Sequence, residues 1–398
     1  MHSSTSPSEV GLTGARDGAL PPGLRKTAAD RPGQAQPVPT RDIPTRPWAQ
    51  MGSVVVMLVT LMTLIWEWNA RVNFGLHAGD LDDSPQSWAE QRSLADAAPV
   101  AIVGDSRILF DTDLARFQAL TGVRPIQTAI VGSSARAILE NYANDPNFKG
   151  LLLVGLADPS YFRPAGIGYA GGYMKAFAKN RKPSQLSGLW IDRFLQRYVA
   201  LLDGHYRLSS LAIEFDRGLR KGVDSPYDDV WKISETFDHR QTFMWDEIER
   251  DKYLRMHARW AWGEFKGPVI PPAITAKVLA RSAEAVSRIR ARGGDVVFIR
   301  PPSSPELRVN EEKRIPKAKG WNGLLAAAHA KGIHADDLPQ AQHLVLPEWS
   351  HLSRACAAVF TDAYVRRLVE LTPRLKLRAD APPPLSSADC SSRKVAAL

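Results

Sequence analysis

The feature that most limits what this chain can become is the run from Met51 to Trp66, MGSVVVMLVTLMTLIW, in which no residue is charged. Val, Leu, Met and Ile fill most of it, and a helix drawn on it has no polar face. From Trp48 to Trp68 such a helix reaches roughly 30 Å at about 1.5 Å per residue, the thickness of a bilayer's hydrocarbon core. Trp48 stands at one end and Trp66 and Trp68 at the other, as interfacial aromatics do. A secretory signal fits less well, because the run begins late, is long, and has no small-residue cleavage site behind it. Residues 47–69 are therefore read as one transmembrane helix.

The flanks set the expected topology. Residues 1–46 are rich in Ser, Thr, Pro, Gly and Ala and have too little apolar surface to offset chain entropy, which predicts a disordered tail. Arg31, Arg41 and Arg46 precede the span; Arg71 and then Asp80, Asp82 and Asp83 follow it. The excess of positive charge before the span puts the N-terminus in the cytoplasm and residues 70–398 outside. In a Gram-negative cell this is a single-pass inner-membrane protein with a periplasmic domain. The net charge is +9, but the basic residues are scattered rather than blocked, which argues against a nucleic-acid partner. Cys356 and Cys390 show no metal or redox spacing. Cys356 is expected as a buried free thiol, with a disulfide to Cys390 left open outside the cytoplasm. The Pro/Ser/Ala-rich segment 377–398 is expected to be a flexible tail.

Between these tails, residues 70–376 alternate short apolar runs with amphipathic ones. Strands are predicted at Pro99–Gly104, Arg124–Val131, Gly150–Leu156, Asp295–Arg300 and His343–Leu346, and helices at Asp113–Leu120, Ala273–Arg292 and Leu352–Leu371. The alternation predicts an α/β fold: a doubly wound, flavodoxin-like, mostly parallel sheet with helices on both faces. Residues 163–270 interrupt it as an insertion. Its tryptophans, Trp190, Trp231, Trp245, Trp260 and Trp262, are expected mainly to pack a lid or subdomain, with stacking on sugar rings as the alternative.

Two segments carry chemistry. In AIVGDSRILFD a strand runs into Gly104-Asp105-Ser106, which sets the Ser106 hydroxyl beyond the carboxyl end of the strand, where open α/β sheets bind ligands. Gly104 allows the chain to turn where a side chain would obstruct. In LPEWSHL, Glu348 and His351 are three residues apart before a helix, a spacing that brings a carboxylate beside an imidazole. The carboxylate fixes the tautomer, and the other ring nitrogen is left to take a proton from a serine. Arg107, Arg136 and Arg163 follow the ends of three strands, where an anionic substrate could meet them. His334 with Asp336 and Asp337 reads as loop polarity, Asp336 being a reserve partner for His351. His239 and His257 have no metal-ligand spacing, and no metal or cofactor is expected.

These segments resemble the blocks of the SGNH hydrolases, or GDSL esterases. Gly104-Asp105-Ser106 matches the first block and Glu348-Trp349-Ser350-His351 the last, with Glu in place of Asp. Gly132 matches the glycine of the second block, so the resemblance implies Ser106 as nucleophile, His351 as base, Glu348 as its acid, and Ser106 and Gly132 as oxyanion donors. The third block, usually Gly-x-Asn-Asp, reads Gly155-Leu156-Ala157-Asp158 and lacks the asparagine. Asp105, Arg107 and Asp158 are the expected substrate-binding residues. A span followed by such a domain is similar in layout to the accessory acyltransferases that work beside multi-span membrane-bound O-acyltransferases on envelope glycans. The readings are an acyltransferase or an O-acyl esterase on a glycan, or a scaffold that kept the fold without the chemistry.

Overall fold

A computed structural model describes residues 24–25, 38–39, 46–163, 170–178, 183–212, 232–263 and 267–390. The expectations for residues 1–45, Trp231 and residues 391–398 lie outside these. The chain forms two units, residues 1–64 and 65–398. The first holds most of helix α1 (Trp48–Asn73), the one helix among the described residues long and apolar enough to cross a membrane. Its apolar side chains stand exposed, Val56 at 66% and Met62 at 69%. Without a polar face, such a surface has no reason to face water. The helix runs four residues past the expected end, and its C-terminal part, already in the second unit, has partners there, Arg71 donating to the Tyr198 carbonyl. The Glu67 carboxylate accepts the N–H groups of Ala200 and Leu201, and Asn69 donates to the Tyr206 hydroxyl.

The second unit is an α/β layer built on a five-stranded parallel sheet. Its strands are β1 (Val100–Gly104), β2 (Ile126–Gln127), β3 (Leu151–Gly155), β6 (Asp295–Arg300) and β7 (Lys331–His334), in the order β2-β1-β3-β6-β7. The β4 (Ser234–Thr236) and β5 (Thr242–Met244) strands form a separate antiparallel hairpin. Alternate residues of the central strands enter two separate cores, so that Val100, Ile102, Leu151 and Leu153 face one side and Ala101, Val103, Leu152 and Val154 the other. This two-faced burial explains why the strands read as continuous apolar runs.

Helices cover both faces. On the first lie α3 (Ser106–Phe110), α4 (Leu114–Thr121) and α11 (Arg354–Leu371). On the second lie α2 (Pro85–Leu94), α5 (Ala135–Ala143), α8 (Pro272–Ala291) and α10 (Trp321–Ala327). Two short helices, α6 (Asp158–Tyr161) and α9 (Pro305–Arg314), follow the ends of β3 and β6, and α7 (Lys252–Gly263) belongs to the insertion. Side chains set the helix starts where the sequence suggests them: Asp113 caps α4 through the Arg116 N–H, and Ser353 caps α11 through the Cys356 N–H.

Three expectations are corrected. The predicted strand at His343–Leu346 is loop, and the fifth strand is β7, Lys331–His334. Leu344 is buried on the α11 side, and Val345 gives its N–H to the Cys356 sulfur and its carbonyl to the Ser353 N–H instead of to a strand. The short β7 reads poorly because Lys331 is exposed and Gly332 is where Trp321 and Leu325 pack against the backbone. The segment after Leu375 is packed rather than loose as far as Cys390. Asp362, buried on α11, accepts the Leu385 N–H, and the Arg116 and Arg366 guanidiniums bond the Pro383 and Pro382 carbonyls. Finally, Cys356 is not a free thiol: it is disulfide-bonded to Cys390, 34 residues on, with Cα atoms 4.7 Å apart. Replacing both cysteines with serine is expected to cost about 4 kcal/mol through the entropy of that loop. Denaturant unfolding of the double variant against the oxidised parent measures it; equal midpoints would mean that the tail is held without the bond.

The insertion is not an independent body. Arg240, at the turn of the β4–β5 hairpin, is fully buried and binds the Asp83 carboxylate and the carbonyls of Gln127 and Ala129 beside β2. Lys232, equally buried, bridges Asp80 and Asp203. Breaking a buried pair of this kind typically costs about 3–5 kcal/mol, so these residues fix the insertion against the sheet.

Candidate functional site

The parallel strands β1, β3 and β6 end side by side, with Gly104 paired to Gly155 and Gly155 to Ile299. The chain leaves β1 into α3 so closely that a Cβ on Gly104 would lie 2.2 Å from the Ile108 side chain, and one on Gly155 would lie 2.1 Å from it. Gly104 is thus needed for the seating of α3 on the strand ends, whereas the left-handed backbone expected of a sharp turn belongs to Gly132, at φ +62°. Asp105 caps α3 by accepting the Arg107 N–H at 3.1 Å, and its other oxygen accepts the Ala157 N–H at 2.7 Å, tying the ends of β1 and β3 together. Burial pushes its proton affinity up, against the opposing charge of Arg107.

Ser106, half-buried, is the first residue of α3. Within the described residues neither its N–H nor that of Gly132 donates a hydrogen bond. Both residues line a cavity of about 310 Å³, and both also line a second one of about 360 Å³, with Trp262 in the wall of each. Two unspent backbone donors beside a hydroxyl are what an oxyanion site requires.

The last-block residues come to the same place. The Glu348 carboxylate and the His351 ring are completely buried. His351 Nδ1 donates to Glu348 Oε1 at 2.9 Å, and the same oxygen accepts the backbone N–H groups of His351 at 2.6 Å and Ser350 at 3.3 Å. Trp349 must take a positive φ of 79° to close this turn, a cost offset by the three bonds it gathers. The Nδ1 contact leaves Nε2 as the basic nitrogen, and Nε2 is buried without a hydrogen-bond partner among the described residues. The ring packs on Phe110 with centroids 4.4 Å apart.

No hydrogen bond joins Ser106 to His351; their neighbours do the joining. Arg107 Nε donates to Ser350 Oγ at 3.2 Å, and the Leu352 N–H donates to Asp111, at the end of α3, at 2.8 Å. The helix that starts at Ser106 is therefore pinned to the loop on both sides of His351. Burial pushes the Asp111 carboxyl well up, helped by the negative charges of Glu348 and Asp105.

Asp158 and Asp336 stand elsewhere than expected. Asp158 is bound to Arg300 Nε at 3.0 Å, where β6 ends. Asp336 binds Arg308 at 2.7 Å and lies 3.4 Å from His334 Nδ1, so it is no reserve for His351. Burial, aided by the Arg300 charge, pushes His334 down to about 2, which keeps it neutral. Arg136 holds the carbonyls of Tyr161 and Arg163 rather than facing a substrate. Among the described residues no group of three His, Cys, Asp or Glu is placed to hold a metal.

Three residues escape sequence reasoning. Arg300, fully buried, bonds Asp158 and Glu311, and Glu311 also accepts from Arg107 Nη2 at 2.5 Å. Burial opposes charge on Glu311, yet Arg107 and Arg300 outweigh it and hold the carboxyl well below its usual range. The one available signal is that DVVFIR ends a buried strand on a cation, which demands a buried anion. The third is Trp262. Its indole N–H donates to Glu348 Oε2, and its ring lies 5.6 Å from that of His351. Arg259, one turn earlier on α7, donates to the Pro347 carbonyl at 2.7 Å, so the insertion clamps the loop that carries the pair.

Replacing Trp262 with Phe keeps an aromatic ring there and deletes the one donor to Glu348 Oε2 among the described residues. Losing a hydrogen bond to a buried charge costs about 1.5–3 kcal/mol, hence about 10–100-fold in turnover if Glu348 orients His351. An ester-hydrolysis assay with a parallel melt checks this; undiminished turnover would remove Trp262 from the site.

No family model, curated protein or solved structure matches the chain. Fold and site together define an α/β protein in which the short helix that opens on a strand-end serine is hydrogen-bonded to the loop carrying a buried Glu–His pair.

Proposed function

We propose that this chain is a membrane-anchored SGNH-type serine acyltransferase or O-acyl esterase that acts on a cell-envelope glycan through an acyl-serine intermediate. The observation that carries the reading is the buried Glu348–His351 pair with its unpartnered Nε2, pinned to the helix that begins at Ser106. The sheet order, which is that of flavodoxin-like folds once the hairpin is set aside, agrees with it.

In this mechanism His351 Nε2 takes the Ser106 proton as Oγ attacks the ester carbonyl. Glu348 stabilises the imidazolium, and the N–H groups of Ser106 and Gly132 hold the oxyanion. The imidazolium then protonates the leaving alcohol. A sugar hydroxyl or water, deprotonated by the same nitrogen, attacks the acyl-serine and frees Ser106. Transfer beside a multi-span O-acyltransferase follows from the layout alone. A periplasmic site for the domain is supported by the arginines before α1 and by the Cys356–Cys390 bond, which needs an oxidising compartment.

A scaffold without chemistry is the second reading. It is favoured by Ala157, which stands where the asparagine of the third block would be, and by Asp158 beside it, which is taken up by Arg300. Turnover of a small activated ester by the full chain in detergent separates the two: turnover dependent on Ser106 supports the enzyme, and none supports the scaffold.

A further inference from the structure

The cavity on the Arg107 side of Ser106 has an unusual charge balance. Three arginines, Arg107, Arg163 and Arg314, share its wall with two acids, Asp105 and Glu311. Both acids already have partners among the described residues. Glu311 is held between Arg107 and Arg300 and accepts the Ser303 hydroxyl as well. Asp105 is spent on the N–H groups of Ala157 and Arg107. Arg300 itself is balanced by Asp158 and Glu311. The chain Asp158–Arg300–Glu311–Arg107 is therefore neutral as a whole, and the guanidiniums of Arg163 and Arg314 line the same wall.

Three further facts point to a ligand. Arg107 is buried to 7% side-chain exposure, and its Nη1 has no hydrogen-bond partner among the described residues. A buried guanidinium N–H left without an acceptor is costly, and an anion supplies one. Arg163 is close enough to Arg314 that, after burial, its charge is the next largest influence lowering the proton affinity of that guanidinium. Like charges held together beside a cavity gain from an anion between them. Gly267 makes room for the arrangement, since a Cβ there would lie 2.7 Å from Arg314 Cζ. The second cavity at Ser106 differs: its Asp80, Asp82 and Asp83 are each paired, to Lys232, Arg207 and Arg240.

We propose that the Arg107–Arg163–Arg314 cavity is an anion-binding subsite that holds a carboxylate- or phosphate-bearing part of the substrate while its ester lies at Ser106. The proposal rests on the serine acyl-transfer reading and narrows it to acidic glycans.

The test uses the full chain in detergent with Ser106→Ala, so that binding is read without turnover. Inorganic phosphate and glucuronate are titrated in turn by calorimetry, with glucose as the neutral control. Saturable binding of either anion, weakened by salt and by about tenfold or more in Arg163→Gln/Arg314→Gln, is expected. Tighter glucuronate than phosphate assigns a carboxylate, and the reverse a phosphate. A melt of the double variant, together with Arg163→Gln alone at an exposed position, excludes unfolding as the cause. No saturable binding of either anion, or the same affinity in folded variants, overturns the subsite. Because no acyl chemistry is involved, this result is independent of whether Ser106 forms an adduct.

Discussion

Ser106→Ala and His351→Ala are each expected to lower acyl turnover on the order of ten-thousandfold or more, with the melting temperature of Ser106→Ala close to the parent's. Members of a nucleophile–base pair act as one unit, so either loss leaves only the help of the oxyanion donors. The serine side chain makes no hydrogen bond among the described residues, so its removal leaves no buried group stranded. Removing His351 is different: Glu348 would keep its backbone donors and lose the ring. Some loss of stability therefore accompanies His351→Ala, and Ser106→Ala is the cleaner readout. Glu348→Gln is expected to be severe as well. The reserve acid that would have softened it, Asp336, is engaged by Arg308, and an amide N–H₂ at Oε2 would meet the Trp262 N–H donor to donor. Turnover of an activated ester alongside a melt for each variant measures this. Full activity in Ser106→Ala would refute the mechanism.

One added methyl group is expected to cost stability and activity together. Gly155→Ala places a Cβ 2.1 Å from the Ile108 Cβ and within 2.5 Å of both branches of that side chain. The strand cannot yield, since Gly155 pairs with Gly104 on one side and Ile299 on the other. Helix α3 must lift, at a cost of about 3 kcal/mol or more. Because α3 begins at Ser106, activity falls with stability. Ile108→Ala alone should also destabilise, by the cavity it leaves. The double variant Ile108→Ala/Gly155→Ala should be more stable than the sum of the two losses, because the shortened side chain removes most of the overlap. Denaturant unfolding of the four proteins checks this; strict additivity would mean that α3 does not rest on the two glycines.

What the sequence made legible follows local physics. The apolar run at 51–66 and the buried strands at 100–104, 151–155 and 295–300 announce themselves because nearly every residue in them is apolar. Glu348 and His351 are three residues apart, so the turn between them is a local matter. What stayed hidden depends on long-range partners. Trp262 reaches Glu348 from 86 residues away, Arg107 reaches Glu311 from 204, and no spacing in the sequence encodes either meeting. The β7 strand was overlooked because Lys331-Gly332-Ile333-His334 is short and half polar, while His343–Leu346 looked more strand-like and packs on a helix instead. Cys356 looked like a core thiol because it is one face of an apolar helix, and only the path of the tail brings Cys390 to it.

The most direct measurement is the intact mass of the full chain after brief exposure to an activated acetyl ester, quenched in acid. The account predicts a single added acetyl group in the parent, localised to the peptide that contains Ser106, and none in Ser106→Ala. It also predicts that His351→Ala accumulates far less of the adduct in the same time. An equal adduct in Ser106→Ala, or one located on another residue, would contradict the assignment of Ser106 as the nucleophile.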